Sequence, residues 1–404
     1  MACAGRAEPA ATEPPSTTAA PTTTTTGIRF DRPGGWARAA DPALRADGYQ
    51  WISAVVVVPD GVVAAGLDSS TTDADAAVWV SADGNSWTQV EDAALEGFGA
   101  QGIHEMARGG PGIVAVGFDG SNGPFDGAVW HSVDGRDWTR VAQESFRADG
   151  DQEITTIINT GHGFIAAGSD SVGRSVDAAV WVSADAHDWR RVFDPALGGF
   201  GSQRIHAIAA GPGGFVAVGS HYQLNHFGLY DLDGRVWFSE DGESWTVIDD
   251  EVFGGPGWQF VTAITAGPDG FVAAGTHILG HPGEANDITI WLSPDGLTWT
   301  RIDEAVFDLP RVQRVSAMIS GPDGIVAVGY DTHESGNRMP AVWTSPNGIG
   351  WVRVVDPRLG EPGNRWMNTV AHGGPGLIAA GGDGDRPVGD PAVWLFVKAV
   401  SGET

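Results

Sequence analysis

The chain has 404 residues, and its 51 Asp and Glu residues outnumber its 23 Lys and Arg residues, which gives a formal net charge of −28. This balance excludes nucleic acids and anionic membrane surfaces as partners, because both require a positively charged protein surface. The single cysteine, Cys3, excludes an internal disulfide framework and a zinc site built from several cysteines. The sequence has no run of about 18 apolar residues and therefore predicts no membrane-spanning helix.

Residues 1–27 are predicted to be a disordered tether, since they are rich in Thr and Pro and show no apolar period. Cys3 stands before this spacer and follows the small residue Ala2. The arrangement resembles the end of a bacterial lipoprotein signal, although the basic and apolar segments of such a signal are absent. The resemblance implies that Cys3 carries lipid and anchors an extracytoplasmic protein to the bacterial cell envelope. An unmodified cysteine in a disordered tail is the alternative.

A period of about 50 residues organises the rest of the chain. An Ala-Val-Trp sequence or a close variant recurs, with its tryptophan at Trp79, Trp130, Trp181, Trp237, Trp291, Trp343 and Trp394. A glycine-bounded apolar run precedes each of these tryptophans, and in all repeats but the last a second tryptophan follows. Each repeat therefore holds four short runs of β-branched and aromatic residues separated by turn residues, which predicts four antiparallel strands, a to d. No segment shows a capped helical period, so helices should be scarce.

Seven such repeats predict an all-β fold, a seven-bladed β-propeller of four-stranded antiparallel blades. The last repeat ends after Trp394 without a fourth strand, whereas the segment from Trp36 to Leu44 matches the fourth strand that begins at Trp189. We therefore predict that the N-terminal strand near Trp36 completes the last blade and leaves no open edge. Residues 28–398 would form this propeller, and residues 399–404 would form a tail.

The predicted turn between strands c and d repeats a Ser-x-Asp-Gly sequence followed by the second tryptophan. The Asp carboxylate can accept hydrogen bonds from turn amides, Gly permits a positive φ, and the tryptophan can pack between adjacent blades. The residues of these turns are Ser81, Asp83, Gly84 and Trp87; Ser132, Asp134, Gly135 and Trp138; Ser183, Asp185 and Trp189, with Ala186 in place of glycine; Ser239, Asp241, Gly242 and Trp245; Ser293, Asp295, Gly296 and Trp299; and Ser345, Asn347, Gly348 and Trp351.

These turns resemble the Asp-box, or bacterial neuraminidase repeat, although one residue fewer separates Asp from Trp than in the commonest form. The resemblance implies a sialidase-like propeller in which the boxes are structural and lie on the face opposite the active site. Sialidases of this family hold the substrate carboxylate with three arginines and use a Tyr–Glu pair and an Asp for catalysis. They usually have six blades and an Arg-Ile-Pro signature. This chain has no Arg-Ile-Pro, so the resemblance implies the fold without the activity.

The predicted b–c connections vary most in length and sequence, which makes their face the candidate ligand-binding face. Strand a lies nearest the axis of a propeller, and it begins with Gln in six repeats and with Arg365 in the seventh. The next position varies, and aromatic and arginine side chains at a concave mouth suit a glycan or a peptide. Packing between blades and ties to neighbouring backbone are the alternative roles. The candidate ligand-binding residues are Trp51, Glu153, Arg204, Phe260, Arg314, Arg365 and Trp366.

Two sets of side chains on the same face are candidate metal ligands. Aspartates end strand b and precede strand c in several repeats, as at Asp68 and Asp75, and facing carboxylates suit Ca²⁺. Solvated turn caps are the alternative, since no loop has the alternating pattern of a calcium loop. The b–c loops also hold four histidines that would suit zinc or lie at the surface without a metal: His221, His226, His277 and His281. We predict no cofactor, with Ca²⁺ as the one cation that these loops would suit.

Together these features favour a non-enzymatic, monomeric propeller on a bacterial cell envelope that binds a glycan, peptide or protein at the mouth of its central channel. The alternative is a sialidase-type exo-glycoside hydrolase in which Arg204, Arg314 and Arg365 hold a substrate carboxylate. A third hypothesis is an assembly factor for a membrane complex, as some propellers of this repeat class are. A pair of carboxyl groups at the mouth would favour the hydrolase, because most glycosidases need two.

Overall fold

The structure is a computed structural model. The residues it describes are 1, 35–45, 48–70, 73–121, 123–147, 150–172, 175–224, 230–278, 287–307, 311–332, 336–360, 363–373, 376–385 and 388–397. Beyond Met1, the predicted tether with Cys3 lies outside the described residues, and so does the predicted tail at residues 399–404. No helix within these ranges has the length and apolar character needed to cross a membrane.

The described residues form 28 β-strands and only four short 3₁₀ helices, which confirms the predicted all-β fold. The 3₁₀ helices are Pro42–Leu44, Glu144–Phe146, Pro195–Leu197 and Glu251–Phe253. The strands are β1 (Gly35–Arg38), β2 (Gln50–Val58), β3 (Gly61–Asp68), β4 (Asp75–Ser81), β5 (Thr88–Gln89), β6 (Gln101–Gly109), β7 (Gly112–Asp119), β8 (Asp126–Ser132), β9 (Trp138–Arg140), β10 (Gln152–Asn159), β11 (Phe164–Val172), β12 (Ser175–Ser183), β13 (Arg190–Arg191), β14 (Ser202–Gly211), β15 (Gly214–Leu224), β16 (Tyr230–Ser239), β17 (Thr246–Ile248), β18 (Trp258–Gly267), β19 (Gly270–Ile278), β20 (Asp287–Ser293), β21 (Thr300–Ile302), β22 (Gln313–Gly321), β23 (Gly324–Thr332), β24 (Arg338–Ser345), β25 (Val352–Arg353), β26 (Arg365–Gly373), β27 (Gly376–Asp385) and β28 (Val388–Val397).

The strands of each sequence repeat pair antiparallel in the order a–b–c–d. Four-stranded sheets are formed by β2 to β5, β6 to β9, β10 to β13 and β22 to β25. The groups β14 to β17 and β18 to β21 have the same pairing, and one parallel bridge between Leu232 and Trp258 joins them into a sheet of eight strands. The four-stranded antiparallel pattern predicted from the sequence is therefore confirmed.

The first strand pairs with the last one, as the sequence predicted. β1 lies antiparallel to β28, with Trp36 opposite Phe396, and thereby becomes the fourth strand of the sheet formed by β26, β27 and β28. Trp36 is buried, and its backbone N–H donates a hydrogen bond of 2.9 Å to Oδ2 of Asp356 in the preceding repeat. The two ends of the described chain are thus held in one sheet.

The hydrophobic core lies between neighbouring sheets. One cluster joins Val63 and Val78 of the first repeat to Trp130 and Trp138 of the second, and similar clusters lie between other neighbours. Strand a of each repeat contacts strand a of the next, from β2 through β26, and β26 in turn contacts β2. The sheets therefore surround a common axis lined by their first strands, which is a β-propeller-like arrangement.

The Ser-x-Asp-Gly turns are held by internal hydrogen bonds. In the first repeat, Ser81 Oγ accepts a hydrogen bond from the Gly84 N–H at 2.8 Å. Oδ1 of Asp83 accepts bonds from the next two non-glycine amides, Asn85 and Ser86, at 2.8 Å each. These amide bonds lower the pKa of the aspartate and keep it ionised. Each such turn is therefore a self-contained structural device.

The turns are also tied to the preceding repeat. Asp41 caps the 3₁₀ helix Pro42–Leu44, and its Oδ2 accepts a hydrogen bond of 2.9 Å from the backbone N–H of Trp87. The same bond joins Asp92 to Trp138 at 2.8 Å. Sequence periodicity did not predict these 3₁₀ helices, because three residues are too few to show a helical period.

Candidate functional site

A β-bulge occurs in strand a of every repeat, three positions after its first Gln or Arg365. A bulge adds one residue to a strand and redirects its side chain. All seven extra residues line one cavity of about 350 Å³, which we call the axial cavity. We call these residues the bulge ring: Ser53, His104, Thr155, His206, Thr262, Ser316 and Asn368.

Several members of the bulge ring join adjacent repeats. Thr155 Oγ1 donates a hydrogen bond of 2.7 Å to the carbonyl oxygen of Ile205 in the next repeat. Asn368 Nδ2 donates a bond of 2.8 Å to the carbonyl oxygen of Ile52, which connects the seventh repeat to the first. These side chains hold the strands around the axis, whereas the two histidines of the ring bring titratable groups into the cavity.

The remaining wall of the axial cavity combines aromatic and charged side chains. Trp51 is half-buried, and its ring lies 5.2 Å from that of Tyr49, centroid to centroid. The acidic side chain in this wall, Glu105, comes from the second repeat, whereas the two arginines, Arg314 and Arg338, come from the sixth. The further lining residues are Trp51, Glu105, Arg314, Tyr330, Arg338 and Trp366.

Glu105 follows His104 of the bulge ring on β6 and is surrounded by protein except where it meets the cavity. Burial disfavours the ionised carboxylate and raises the pKa of Glu105 to about 7. A hydrogen bond of 3.0 Å from the Met106 N–H to Oε1 opposes this effect without cancelling it. Glu105 can therefore hold a proton at near-neutral pH and donate it to a bound molecule.

Glu153 is the second residue of the neighbouring strand a, β10, and its pKa is shifted in the opposite direction. His104 Nε2 lies 2.7 Å from Oε1 of Glu153, and Arg204 Nη1 lies 3.9 Å from Oε2. The hydrogen bond with His104 is the main cause that lowers the pKa of Glu153, and the charge of Arg204 adds to it. Two carboxyl groups on adjacent strands are therefore biased towards different protonation states, one by burial and the other by its partners.

The wall beyond Arg204 is positively charged. Burial, followed by the charges of Arg314 and Arg204, lowers the pKa of His206 to about 4, so its imidazole is neutral above that pH. His206 Nε2 lies 3.0 Å from Ser220 Oγ. Among the described residues no carboxylate lies within ion-pair distance of Arg314, which is exposed to the cavity. The cavity therefore has an acidic side at repeats two and three and a basic side at repeat six.

The structure places the sequence-predicted candidates at different distances from this cavity. Trp51, Arg314 and Trp366 line it, although Trp366 is only 7% exposed. Glu153 and Arg204 lie beside it as a pair. Phe260 is half-buried near the start of β18 and does not line it.

Arg365 is oriented away from the axial cavity. Its Nε donates a hydrogen bond of 3.0 Å to Oδ2 of Asp383 at the end of strand b, and Arg38 of β1 contacts the same oxygen at 2.7 Å. Gln152, at the equivalent position, is buried and donates a 3.2 Å hydrogen bond to Asp170. The first residue of strand a thus connects strand a to the end of strand b in the same sheet. Gln152 does so through a neutral amide, whereas Arg365 does so through an ion pair.

The acidic hairpins considered for Ca²⁺ are neutralised mainly by arginine. Asp119 and Asp126 are direct partners in the strand register, and Arg140 of strand d reaches Asp119 Oδ2 at 2.9 Å while lying over the Trp130 ring. No group of three or more His, Cys, Asp or Glu side chains in the described ranges is arranged to hold a metal ion. His221 and His277 each contact a backbone carbonyl at 2.8 Å. His226 and His281 lie outside the described residues.

Sequence reasoning missed the bulge ring, Glu105, Tyr330 and Arg338. It placed only the first two of these positions at the mouth, the Gln or Arg365 and the residue after it. A signal was nevertheless present, because the position three after the first Gln or Arg365 is polar in all seven repeats although it follows an apolar residue. Alternation alone places this position on the same face as the one two residues earlier, and the bulge brings the following residue of the second repeat, Glu105, to the cavity as well.

The described fold resembles that of solved glycoside hydrolases. An α-L-arabinofuranosidase of Fusarium graminearum in complex with an iminosugar inhibitor is 13% identical over 81% of this chain and 99% of that chain, with a TM-score of 0.50. The complex of a GH93 α-L-arabinofuranosidase from the same organism with arabinobiose gives 12% identity over 79% and 97% of the two chains, also with a TM-score of 0.50. At these identities the likeness shows the fold alone.

A third solved structure matches a comparable share of the chain. It is a protein of unknown function from Dyadobacter fermentans, 11% identical over 90% of this chain and all of that one (100%), with a TM-score of 0.49. No protein-family model matches the chain, and no curated protein matches its sequence. Fold and cavity together define a β-propeller-like protein with a polar axial site.

Proposed function

We propose that the protein is a glycoside hydrolase that binds its substrate in the axial cavity. The observation that carries this proposal is the difference between Glu105 and Glu153. Burial raises the pKa of Glu105 to about 7, whereas the hydrogen bond with His104 and the charge of Arg204 lower the pKa of Glu153. Glycosidases need such a pair, since a carboxylic acid protonates the leaving oxygen while a carboxylate attacks the sugar or activates water.

In this mechanism Glu105 donates its proton to the glycosidic oxygen. Glu153 remains ionised and either attacks the anomeric carbon or removes a proton from the attacking water. Trp51 and Tyr330 offer aromatic surface to the sugar. The fold is compatible with this role, because the Fusarium graminearum α-L-arabinofuranosidases use a similar one.

Non-enzymatic glycan binding is the second candidate, and one observation favours it. Both oxygens of Glu153 already have polar neighbours, His104 at 2.7 Å and Arg204 at 3.9 Å, which reduces its availability as a nucleophile. The sialidase-type arrangement of three arginines has less support, because Arg365 pairs with Asp383 and Arg204 with Glu153.

The proposal is tested with a panel of 4-nitrophenyl glycosides and a fluorogenic sialoside, using the full chain. We expect hydrolysis of at least one glycoside and a loss of kcat of about 10²-fold or more in Glu105→Gln. Activity should fall as the pH rises through about 7, where Glu105 loses its proton. It should also fall at acidic pH, where Glu153 gains one below its usual range.

Glu144→Gln is the matched control, since its side chain is 92% exposed and lies outside the cavity. It should retain full activity. Sugars that bind without turnover at any pH would contradict the hydrolase and favour the second candidate. Full turnover in Glu105→Gln would contradict the assigned acid.

We further propose the finer architecture and location. The sheets are the blades of a closed, seven-bladed propeller spanning residues 28–398, which the closed contact cycle of the a strands supports. Its c–d turns are Asp-boxes, which the recurring Ser and Asp hydrogen bonds within the turns support. The protein would be a monomer with no nucleic acid partner. Residues 1–27 would tether it to a bacterial cell envelope through lipid on Cys3. Cys3→Ser should then move the protein from the membrane fraction to the soluble one, and unchanged fractionation would contradict the anchor.

A further inference from the structure

A second cavity opens beside the axial cavity, between the sixth and seventh repeats. Its volume is about 460 Å³. Tyr330, Arg338 and Trp366 line both cavities, so the two spaces are adjacent. We call the second cavity the side groove. A ligand longer than the axial cavity would reach the side groove next.

Two glycines of the seventh repeat make room for the aromatic wall of the side groove. Gly382 lies directly opposite Trp366 in the strand register, and a Cβ atom at this position would overlap the indole ring. A Cβ at Gly389 would lie 2.7 Å from Cδ2 of Tyr49. The other repeats have larger residues where the seventh has Gly382: Leu67, Phe118, Ser169, Ser220, Thr276 and Tyr330. A glycine at this register position is thus specific to the seventh repeat.

The charge of the side groove comes from Arg338. This side chain is exposed, and its guanidinium carbon lies 4.8 Å from the centroid of the Tyr330 ring and 5.5 Å from that of Trp366. Among the described residues, no carboxylate lies within ion-pair distance of it. Such an arginine is unusual in a chain with a net charge of −28. The two rings orient the guanidinium, and its N–H groups suit a bidentate contact with an anion.

We propose that the side groove is a second subsite, which binds a carboxylate-bearing sugar adjacent to the unit held in the axial cavity. The ligand is then an acidic oligosaccharide of at least two units. Thr332 lines the groove and its hydroxyl can donate to a sugar oxygen, while Tyr49 and Tyr330 provide aromatic surface. This inference rests on the proposed function only for the occupant of the axial cavity.

The test measures binding rather than turnover, by calorimetry on the full chain carrying Glu105→Gln. The probes are monomers, dimers and tetramers of galacturonate, glucuronate and mannuronate, with the neutral hexose oligomers as comparison. We expect a dimer of at least one uronate series to bind about tenfold more tightly than its monomer. In Arg338→Gln this gain should disappear, whereas Arg136→Gln, an exposed arginine in a c–d turn, should retain it.

Three results would overturn the subsite. These are no gain from monomer to dimer in any uronate series, an equal gain with the neutral oligomers, or a gain that survives Arg338→Gln. The proposed hydrolase fails separately, through the absence of turnover with the unsubstituted chain. A uronate dimer that binds through Arg338 but is never cleaved would support the side groove and reject the hydrolase.

Discussion

The c–d turns and the bulge ring both repeat around the molecule, but they preserve different parts of the repeat. In the turns the side chains are nearly constant, and in all six the serine Oγ accepts a hydrogen bond from the same turn amide, as at Ser81 and Ser132. In the bulge ring the backbone irregularity is constant, whereas the side chains range from Ser53 to His104 and Asn368. Repeated side chains therefore hold the sheets together, and a repeated backbone with varied side chains creates the candidate site.

The largest effect that would test this comparison concerns the seventh repeat, which has no c–d turn because β1 supplies its fourth strand from the other end of the chain. Deleting residues 1–40 removes β1 and exposes the edge of β28. Loss of the buried Trp36 side chain alone should lower the free energy of unfolding by about 3–5 kcal/mol. Thermal unfolding followed by circular dichroism measures the change.

Deletion of residues 1–27 is the control, since this segment is predicted to carry no packing. It should leave the melting temperature nearly unchanged. If the chains lacking residues 1–27 and 1–40 have the same melting temperature, the pairing of β1 with β28 contributes no stability.

A second test compares a tryptophan of the turns with one at the axis. Trp138 is 5% exposed, and its Nε1 donates a hydrogen bond of 3.1 Å to the Gly135 carbonyl oxygen. Trp138→Ala should therefore lower the free energy of unfolding by about 3–5 kcal/mol. Trp51→Ala should cost only about 1 kcal/mol, because that ring is half-buried in the axial cavity.

Urea denaturation of the two variants measures both values, and ligand binding provides the second readout. Trp51→Ala should weaken binding of a uronate oligomer, whereas Trp138→Ala should leave the affinity of the folded fraction unchanged. Equal losses of stability would mean that the axial tryptophan is also a core residue and that the two regions are not functionally distinct.

The fold was accessible from the sequence because its signals recur. Glycine-bounded apolar runs marked strand b in every repeat, and the match between Trp36 and Trp189 predicted the pairing that β1 makes with β28. The short 3₁₀ helices were missed because three residues are too few to show a period; three of the four are capped by an aspartate, such as Asp41.

The site was only partly accessible. Trp51, Arg314 and Trp366 were predicted to lie at the mouth, and they line the axial cavity. Glu105 was missed because strict alternation of side chains fails beyond a bulge. Arg365 differs for another reason, since the aspartate that faces it, Asp383, lies 18 positions further along the chain. Sequence spacing alone does not show that the side chains of Arg365 and Asp383 will meet.

The smallest expected effect lies within the turns and asks how strictly their residues must be kept. Ala186 occupies the glycine position of the third repeat with φ = 67°, in the left-handed region that favours glycine. Ala186→Gly should relieve about 1 kcal/mol of backbone strain but increase the freedom of the unfolded chain by a similar amount. The net change in the free energy of unfolding should therefore be no more than about 0.5 kcal/mol.

The reverse exchange in the second repeat should be costly. Gly135 has φ = 82°, and a Cβ there would lie 2.5 Å from Cγ2 of Val63 in the adjacent sheet. Gly135→Ala should thus destabilise the protein by about 2 kcal/mol, through backbone strain together with overpacking. Urea denaturation of both single variants distinguishes the two contributions. If Gly135→Ala costs as little as Ala186→Gly changes, neither backbone strain nor packing requires glycine in the turn; the amide hydrogen bond to the serine does not require it either, since Ala186 donates the same bond to Ser183 at 2.9 Å.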